Sequence, residues 1–240
     1  MKKLTYQIEP TLNQRATLGL IVLSEDETIE LEMRQLIPET DVAIHVSRVR
    51  SGENLTSETI LEMKGELAAA ASLLPKSARF DCVAYACTSG TSVIGADIVH
   101  RLVAENCDAT HVTDPLSALI AYCQHAKAKR LGFLSPYRAD VSTTLRQRLS
   151  EANIETPSFA YFGEDHEATV VRINASSIIS GAREIARSGP IDAVFLSCTN
   201  LRTSTLIASL SNELSVPVLS SNSVLAWHMR HLSKLNSDIF

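Results

Sequence analysis

Val83-Ala84-Tyr85-Ala86-Cys87-Thr88-Ser89-Gly90-Thr91-Ser92 decides how this chain is read, because Ala193-Val194-Phe195-Leu196-Ser197-Cys198-Thr199-Asn200-Leu201-Arg202 repeats its plan 111 positions later. Each stretch is a short apolar run with the composition of a buried strand, ending in Cys-Thr, with a helix expected next. The pairing predicts two thiols that face each other.

Outward from these stretches, strand and helix patterns alternate. Thr17 to Leu23 reads as a strand buried on both faces, and Val42 to Val49 as the next strand. Between them, Ser24-Glu25-Asp26-Glu27 supplies a cap and an acidic first turn for a helix that ends near Pro38. Ile60, Met63, Leu67 and Ala70 have helical spacing, a helix is expected from about Ser92 to Glu105, and another from Pro115 to about Ala126. Met1 to Arg15 reads as an irregular lead-in.

The second half follows the same order. Arg130-Leu131-Gly132-Phe133 echoes Thr17-Leu18-Gly19-Leu20, and Leu131 lies 113 positions after Leu18. Helical patterns over 141–152 and 176–187 flank a strand near Phe159 to Phe162, and Val216 to Leu219 leads into a helix after Asn222. Nearly constant offsets point to a duplicated four-strand unit. The expected fold is α/β: two similar lobes related by a pseudo-twofold axis, each a four-stranded parallel sheet flanked by helices. The first lobe is assigned residues 1–113 plus 221–240, the second 114–220.

Composition excludes several classes. With 45% hydrophobic and 20% charged residues, the chain of 240 residues reads as globular. A net charge of -5 gives no reason to expect a nucleic acid partner. The basic start lacks the apolar core of a signal peptide, and the longest apolar stretch, Leu67 to Leu74, is interrupted by Ser72, so no membrane association is expected. Five cysteines without a Cys-x-x-Cys spacing suggest free thiols in a cytoplasmic protein and no metal site. Cys82, Cys107 and Cys123 read as core filling.

Open parallel sheets bind ligands beyond the carboxyl ends of their strands. Both Cys-Thr pairs are expected there, each at a helix start, where backbone amides attract an anion and lower a thiol's pKa. Thr88, Ser89 and Thr199 can donate to a carboxylate at the same edge.

Tyr85-Ala86-Cys87-Thr88-Ser89-Gly90-Thr91-Ser92-Val93-Ile94-Gly95 and Ser197-Cys198-Thr199-Asn200 resemble the aspartate/glutamate racemase superfamily, in the branch of maleate cis-trans isomerase and arylmalonate decarboxylase. Leu20 to Glu30 looks most like ectoine-utilisation proteins of that branch. The resemblance implies a cofactor-independent enzyme, commonly a homodimer, that holds a small carboxylic acid between catalytic Cys87 and Cys198. It places Asp26, Thr88, Ser89, Tyr137, Thr199 and Asn200 around the substrate. Tyr137 enters through Ser135-Pro136-Tyr137, which matches the Ser-Pro-Tyr of maleate isomerases.

Two departures from that pattern stand out. Asp26 occupies the place of a maleate-isomerase asparagine, and an acidic residue there repels a dicarboxylate unless it is protonated or paired. It suits an amino acid or an ectoine-like amidine. A second family asparagine, near Glu164-Asp165-His166-Glu167, has no counterpart, and His166 reads as a solvated loop residue. The leading expectation is a two-cysteine racemase or isomerase acting on an amino acid, a maleate-like acid or an ectoine-related one. The alternatives are a malonate-type decarboxylase, which in that relative needs only the cysteine matching Cys198, and a non-catalytic carboxylate-binding protein.

Overall fold

A computed structural model of the protein describes residues 1–9, 14–52 and 57–236. Residues 10–13 of the expected lead-in and 237–240 at the end of the expected first lobe lie outside the described residues.

The apolar runs form two parallel sheets of identical order. Strands β1 (Ala16–Leu23), β2 (Val42–Val49), β3 (Phe80–Ala86) and β4 (Ala109–Thr113) are arranged β2-β1-β3-β4. Strands β5 (Arg130–Tyr137), β6 (Glu155–Glu164), β7 (Ala193–Leu196) and β8 (Val218–Ser220) are arranged β6-β5-β7-β8. Every pairing is parallel. The expected α/β architecture of two like four-stranded lobes is therefore what the chain adopts.

Register fixes which side chains reach which core. Leu18 pairs with Cys82 and Val22 with Ala86 in the first sheet, and Leu131 with Ala193 and Leu134 with Leu196 in the second. Because strand side chains alternate faces, Val83, Tyr85 and Cys87 enter one core while Cys82, Ala84 and Ala86 enter the other. The second lobe repeats this parity: Val194, Leu196 and Cys198 join the Cys87 core, and Ala193 and Phe195 join its counterpart. Burial of such fully enclosed side chains, at about 1.5–3 kcal/mol for a large aliphatic or aromatic one, holds both strand ends in place.

Helices α1 (Ile29–Leu36), α2 (Ser57–Ser72), α3 (Thr88–Ile94), α4 (Ala96–Ala104) and α5 (Pro115–Ala126) belong to the first half of the chain. Helices α6 (Ala139–Glu151), α7 (Glu167–Val170), α8 (Ala175–Arg187), α9 (Ile207–Leu214) and α10 (Ser221–Leu232) belong to the second. Helix α10 opens with a capping box between Ser220 and Ser223 and packs on α5, α1 and β3.

Three local expectations are corrected. The single helix over 92–105 is two helices, because Gly95 adopts φ 95° and breaks the hydrogen-bond ladder between α3 and α4. Ser24 does not cap α1; Thr28 occupies that position, and Asp26 Oδ1 accepts from the backbone N–H groups of Thr28 and Ile29 at 2.8 and 2.9 Å. Only Cys87 stands at a helix start. Turns follow Cys198, and α9 begins at Ile207.

Candidate active site

Cys87 caps α3, and its Sγ accepts the Gly90 backbone N–H at 3.1 Å. The sequence requires glycine at position 90: a Cβ there would lie 2.5 Å from the Tyr85 hydroxyl and 2.8 Å from Cys87 Sγ. Tyr85, fully buried, thus brings its hydroxyl to the side of this sulfur.

Cys198 is held differently. Its backbone has φ 123°, a conformation that L residues rarely adopt and that persists only where the surroundings impose it. Here its N–H donates to Ser221 Oγ at 3.0 Å, and its Sγ accepts the Asn200 N–H at 3.2 Å. Ser221 Oγ also accepts from the Thr88 hydroxyl at 2.8 Å, and the Thr199 hydroxyl donates to the Ala86 carbonyl at 3.4 Å. The two Cys-Thr segments, one from each sheet, therefore meet in one buried place.

Tyr137, at the end of β5, has its hydroxyl 2.9 Å from Cys198 Sγ and donates to Glu167 Oε1 at 2.6 Å. Glu167 begins α7, is 2% exposed, and accepts the Asn200 amide at Oε2 at 3.0 Å. Asp26 is 2% exposed, and its Oδ2 is buried without a hydrogen-bond partner. The nearby Thr199 hydroxyl favours the Asp26 carboxylate while donating its hydrogen to the Ala86 carbonyl. Arg48 fixes the Asp26 loop by donating to the Leu23, Ser24 and Asp26 carbonyls at 3.1, 3.0 and 3.1 Å.

The remaining residues singled out in the sequence lie in or beside the same cluster. Asn200 is fully engaged in holding it: Oδ1 accepts from Glu27 N at 3.0 Å, and Nδ2 faces Glu167 and the Glu25 carbonyl. The Ser89 side chain is buried, and its hydroxyl makes none of the hydrogen bonds among the described residues. His166 is exposed beside Asp165, as expected of a loop residue.

Sequence reasoning missed Glu167, Ser221, Glu32 and Asn222. Buried Glu32 accepts from Thr203 N and Ser204 N at 2.6 and 2.9 Å and from Asn222 at 2.8 Å, tying α1 to the turn after Cys198. No periodicity marks such residues. Acidic side chains in a polar stretch read as solvated until the fold buries them.

The electrostatics differ from the sequence expectation. Burial pushes the Cys87 thiol up to about 12, outweighing the Gly90 N–H that favours the thiolate. Burial raises the Cys198 thiol well above its ordinary value, and Glu167 and Asp26 push both thiols the same way. Asp26 and Glu167 are themselves raised above the usual carboxylate range, first by burial. Both cysteines rest as thiols in this closed arrangement, being 4% and 3% exposed. A cavity of about 580 Å³ adjoins the Asp26 loop and is lined by Glu27, Thr28, Glu32, Arg172 and Arg202; neither sulfur lines it. Among the described residues, no cluster of His, Cys, Asp or Glu forms a metal site, and no helix is long and apolar enough to cross a membrane.

Fold and site together define a two-lobed α/β protein with a cysteine from each lobe in one buried centre. The chain belongs to the arylmalonate decarboxylase family, whose model matches residues 18–239. This agrees with the branch that the Cys-Thr motifs resemble. The maleate isomerase of Pseudomonas putida S16 superposes with a TM-score of 0.82 at 21% identity, covering 92% of this chain and 93% of that one. A Nocardia farcinica maleate cis-trans isomerase mutant with a covalently bound succinylcysteine intermediate gives the same values. A liganded mutant of arylmalonate decarboxylase gives 0.81 at 21% identity, covering 91% of this chain and 92% of that one. At such identity the likeness carries the fold. The comparison with curated protein sequences finds no match.

Proposed function

We propose that this protein is a cofactor-independent isomerase or racemase of a small carboxylic acid, with Cys87 and Cys198 acting on opposite sides of one carbon centre. The observation that carries this reading is the Ser221 hydroxyl, which accepts from Thr88 at 2.8 Å and from the Cys198 N–H at 3.0 Å and so brings both thiol-bearing segments to one site. A thiol on each side can remove a proton next to a carboxylate and return one to the opposite face, or add to a double bond and leave again. Backbone and hydroxyl donors around the sulfurs stabilise the charge that develops on the carboxylate.

The carboxyl groups narrow the substrate. An added dicarboxylate meets Asp26 and Glu167 at close range, which disfavours a bare maleate-like acid. Asp26 Oδ2, buried and unpartnered, suits a substrate N–H donor. An amino acid or an ectoine-like amidine fits that requirement, with its carboxylate directed to the Ser89 hydroxyl. The test is solvent-deuterium incorporation next to the carboxylate across a panel of amino acids, ectoine-related acids, maleate and aryl malonates. Incorporation into at least one of the first two groups, lost in Cys87→Ala and in Cys198→Ala, is expected; a panel in which no acid either incorporates deuterium or interconverts contradicts the reading.

The family match favours a second reading, decarboxylation of a malonate-type acid by Cys198 alone. Carbon dioxide release from an aryl malonate that survives Cys87→Ala would establish it in place of the first.

A further inference from the structure

We propose that Glu167 is the proton acceptor for Cys198, reached through the Tyr137 hydroxyl, and that this relay makes Cys198 the base of the cysteine pair. The phenol has one hydrogen, and it is given to Glu167 Oε1 at 2.6 Å. The 2.9 Å contact between Tyr137 Oη and Cys198 Sγ therefore has the thiol donating to the oxygen. Thiol, phenol and carboxylate stand in one hydrogen-bonded line with every donor pointing toward Glu167.

A proton can move along this line in one balanced step. The Cys198 S–H bond breaks and its proton goes to Tyr137 Oη, while the phenolic O–H bond breaks and that proton goes to Glu167 Oε1. The products are a thiolate, a neutral phenol and a neutral carboxylic acid, so the net charge of the buried site is unchanged. The new thiolate then accepts from two donors, the Tyr137 O–H and the Asn200 N–H at 3.2 Å. The Asn200 amide at 3.0 Å keeps Glu167 in place throughout.

Cys87 has no such line. Its Sγ accepts from Gly90 N, and the Tyr85 hydroxyl beside it donates to Met63 Sδ at 3.9 Å, with no carboxyl group hydrogen-bonded to either among the described residues. The asymmetry gives the duplicated lobes different tasks: Cys198 loses a proton readily, and Cys87 keeps one to deliver. Glu167 acts on the thiol through Tyr137 and is in that sense a positioning residue. Only the word "base" rests on the two-cysteine function proposed above; the relay itself does not.

The groups facing this line are Asp26 and Glu25 from the loop after β1 and the Cys87 thiol. These charges displace the titration curve, and ionisation of Glu167 itself flattens it, so the relay is read from Tyr137→Phe, which shares all of these charges with the wild type but lacks the phenol. The experiment is therefore the pH dependence of Cys198 alkylation by iodoacetamide in the full chain, read by peptide mass spectrometry, with Cys87 in the same sample as reference. With the relay, the wild-type rate is level once Glu167 is ionised, because the reactive form is the thiol joined to a carboxylate. In Glu167→Gln the Cys198 rate follows the free thiolate and rises about tenfold per pH unit, and in Tyr137→Phe the level rate falls by about tenfold or more because the thiolate loses the phenolic O–H that stabilises it. Tyr137→Phe keeps both the carboxylate and the ring packing, so it gives the answer if Glu167→Gln does not fold. A wild-type Cys198 rate that climbs in parallel with Glu167→Gln, a Tyr137→Phe rate equal to the wild type, or no Cys198 reaction at neutral pH overturns the proposal. No substrate is needed, so failure here is distinct from failure to find turnover.

Discussion

The Thr88 hydroxyl donates to Ser221 Oγ at 2.8 Å across 133 positions of sequence, and the same oxygen accepts the Cys198 N–H. One side chain thus fixes the strand end of one lobe against that of the other. Ser221→Ala leaves two buried donors without an acceptor, at a cost of about 1–3 kcal/mol each. Thermal melting should show the midpoint fall by about 2–4 °C per kcal/mol for a chain of this size. A midpoint within experimental error of the wild type would show that the bond is dispensable.

Gly90→Ala should lower activity on the order of 100-fold while leaving the fold intact. The added methyl group would sit 2.8 Å from Cys87 Sγ and 2.5 Å from the Tyr85 hydroxyl, so the sulfur has to move. Displacement of a reacting atom by about 1 Å commonly costs on the order of 100-fold in rate. Gly65→Ala is the matching control, since a Cβ there meets nothing within 4 Å and α2 should gain about 0.5–1 kcal/mol. Circular dichroism and a turnover assay on both variants check the pair.

Asp26 makes stability depend on pH with a defined sign. Burial raises its folded-state pKa above the ordinary 3.8, so the folded protein binds this proton more tightly than the unfolded chain does. Its contribution is fully present below the unfolded value and is lost as pH rises through the folded one. Asp26→Asn removes that titration, and the asparagine Oδ1 can still accept from Thr28 and Ile29. The melting temperature of Asp26→Asn minus that of the wild type should therefore increase from about pH 4 toward neutrality. A constant or decreasing difference would show that the carboxyl is not strained by its burial.

The two cysteine variants separate the reactions open to this family. Loss of at least about 100-fold in turnover from Cys87→Ala and from Cys198→Ala alike is expected of an isomerase or racemase. A decarboxylase loses activity only with Cys198. Steady-state rates on whichever acid exchanges deuterium, measured with both variants, decide between them.

Much of this architecture is legible before any coordinates. Buried parallel strands are continuous apolar runs, so β1, β3 and β7 stand out, and the matched Cys-Thr pairs mark equivalent strand ends in two repeats. What stays hidden has a physical reason. Cys198 has no helix after it because its backbone turns at φ 123°, a feature that residue type does not encode. His166 reads as a solvated loop residue and is exposed, yet Glu167, the next residue, turns inward to Tyr137 and Asn200. Its burial is decided by partners from β5 and from the turn after β7, far away in sequence.

The claim beneath all of this is that Cys87 and Cys198 share one site, and a trivalent organic arsenical reads that sharing directly because it bonds to two neighbouring thiols at once with loss of water. The expected result is one equivalent bound per chain, with Cys87 and Cys198 both protected from later alkylation and tight binding lost in Cys87→Ser and in Cys198→Ser. Tight binding that survives either substitution, or protection that falls on Cys82, Cys107 or Cys123 instead, would contradict the account.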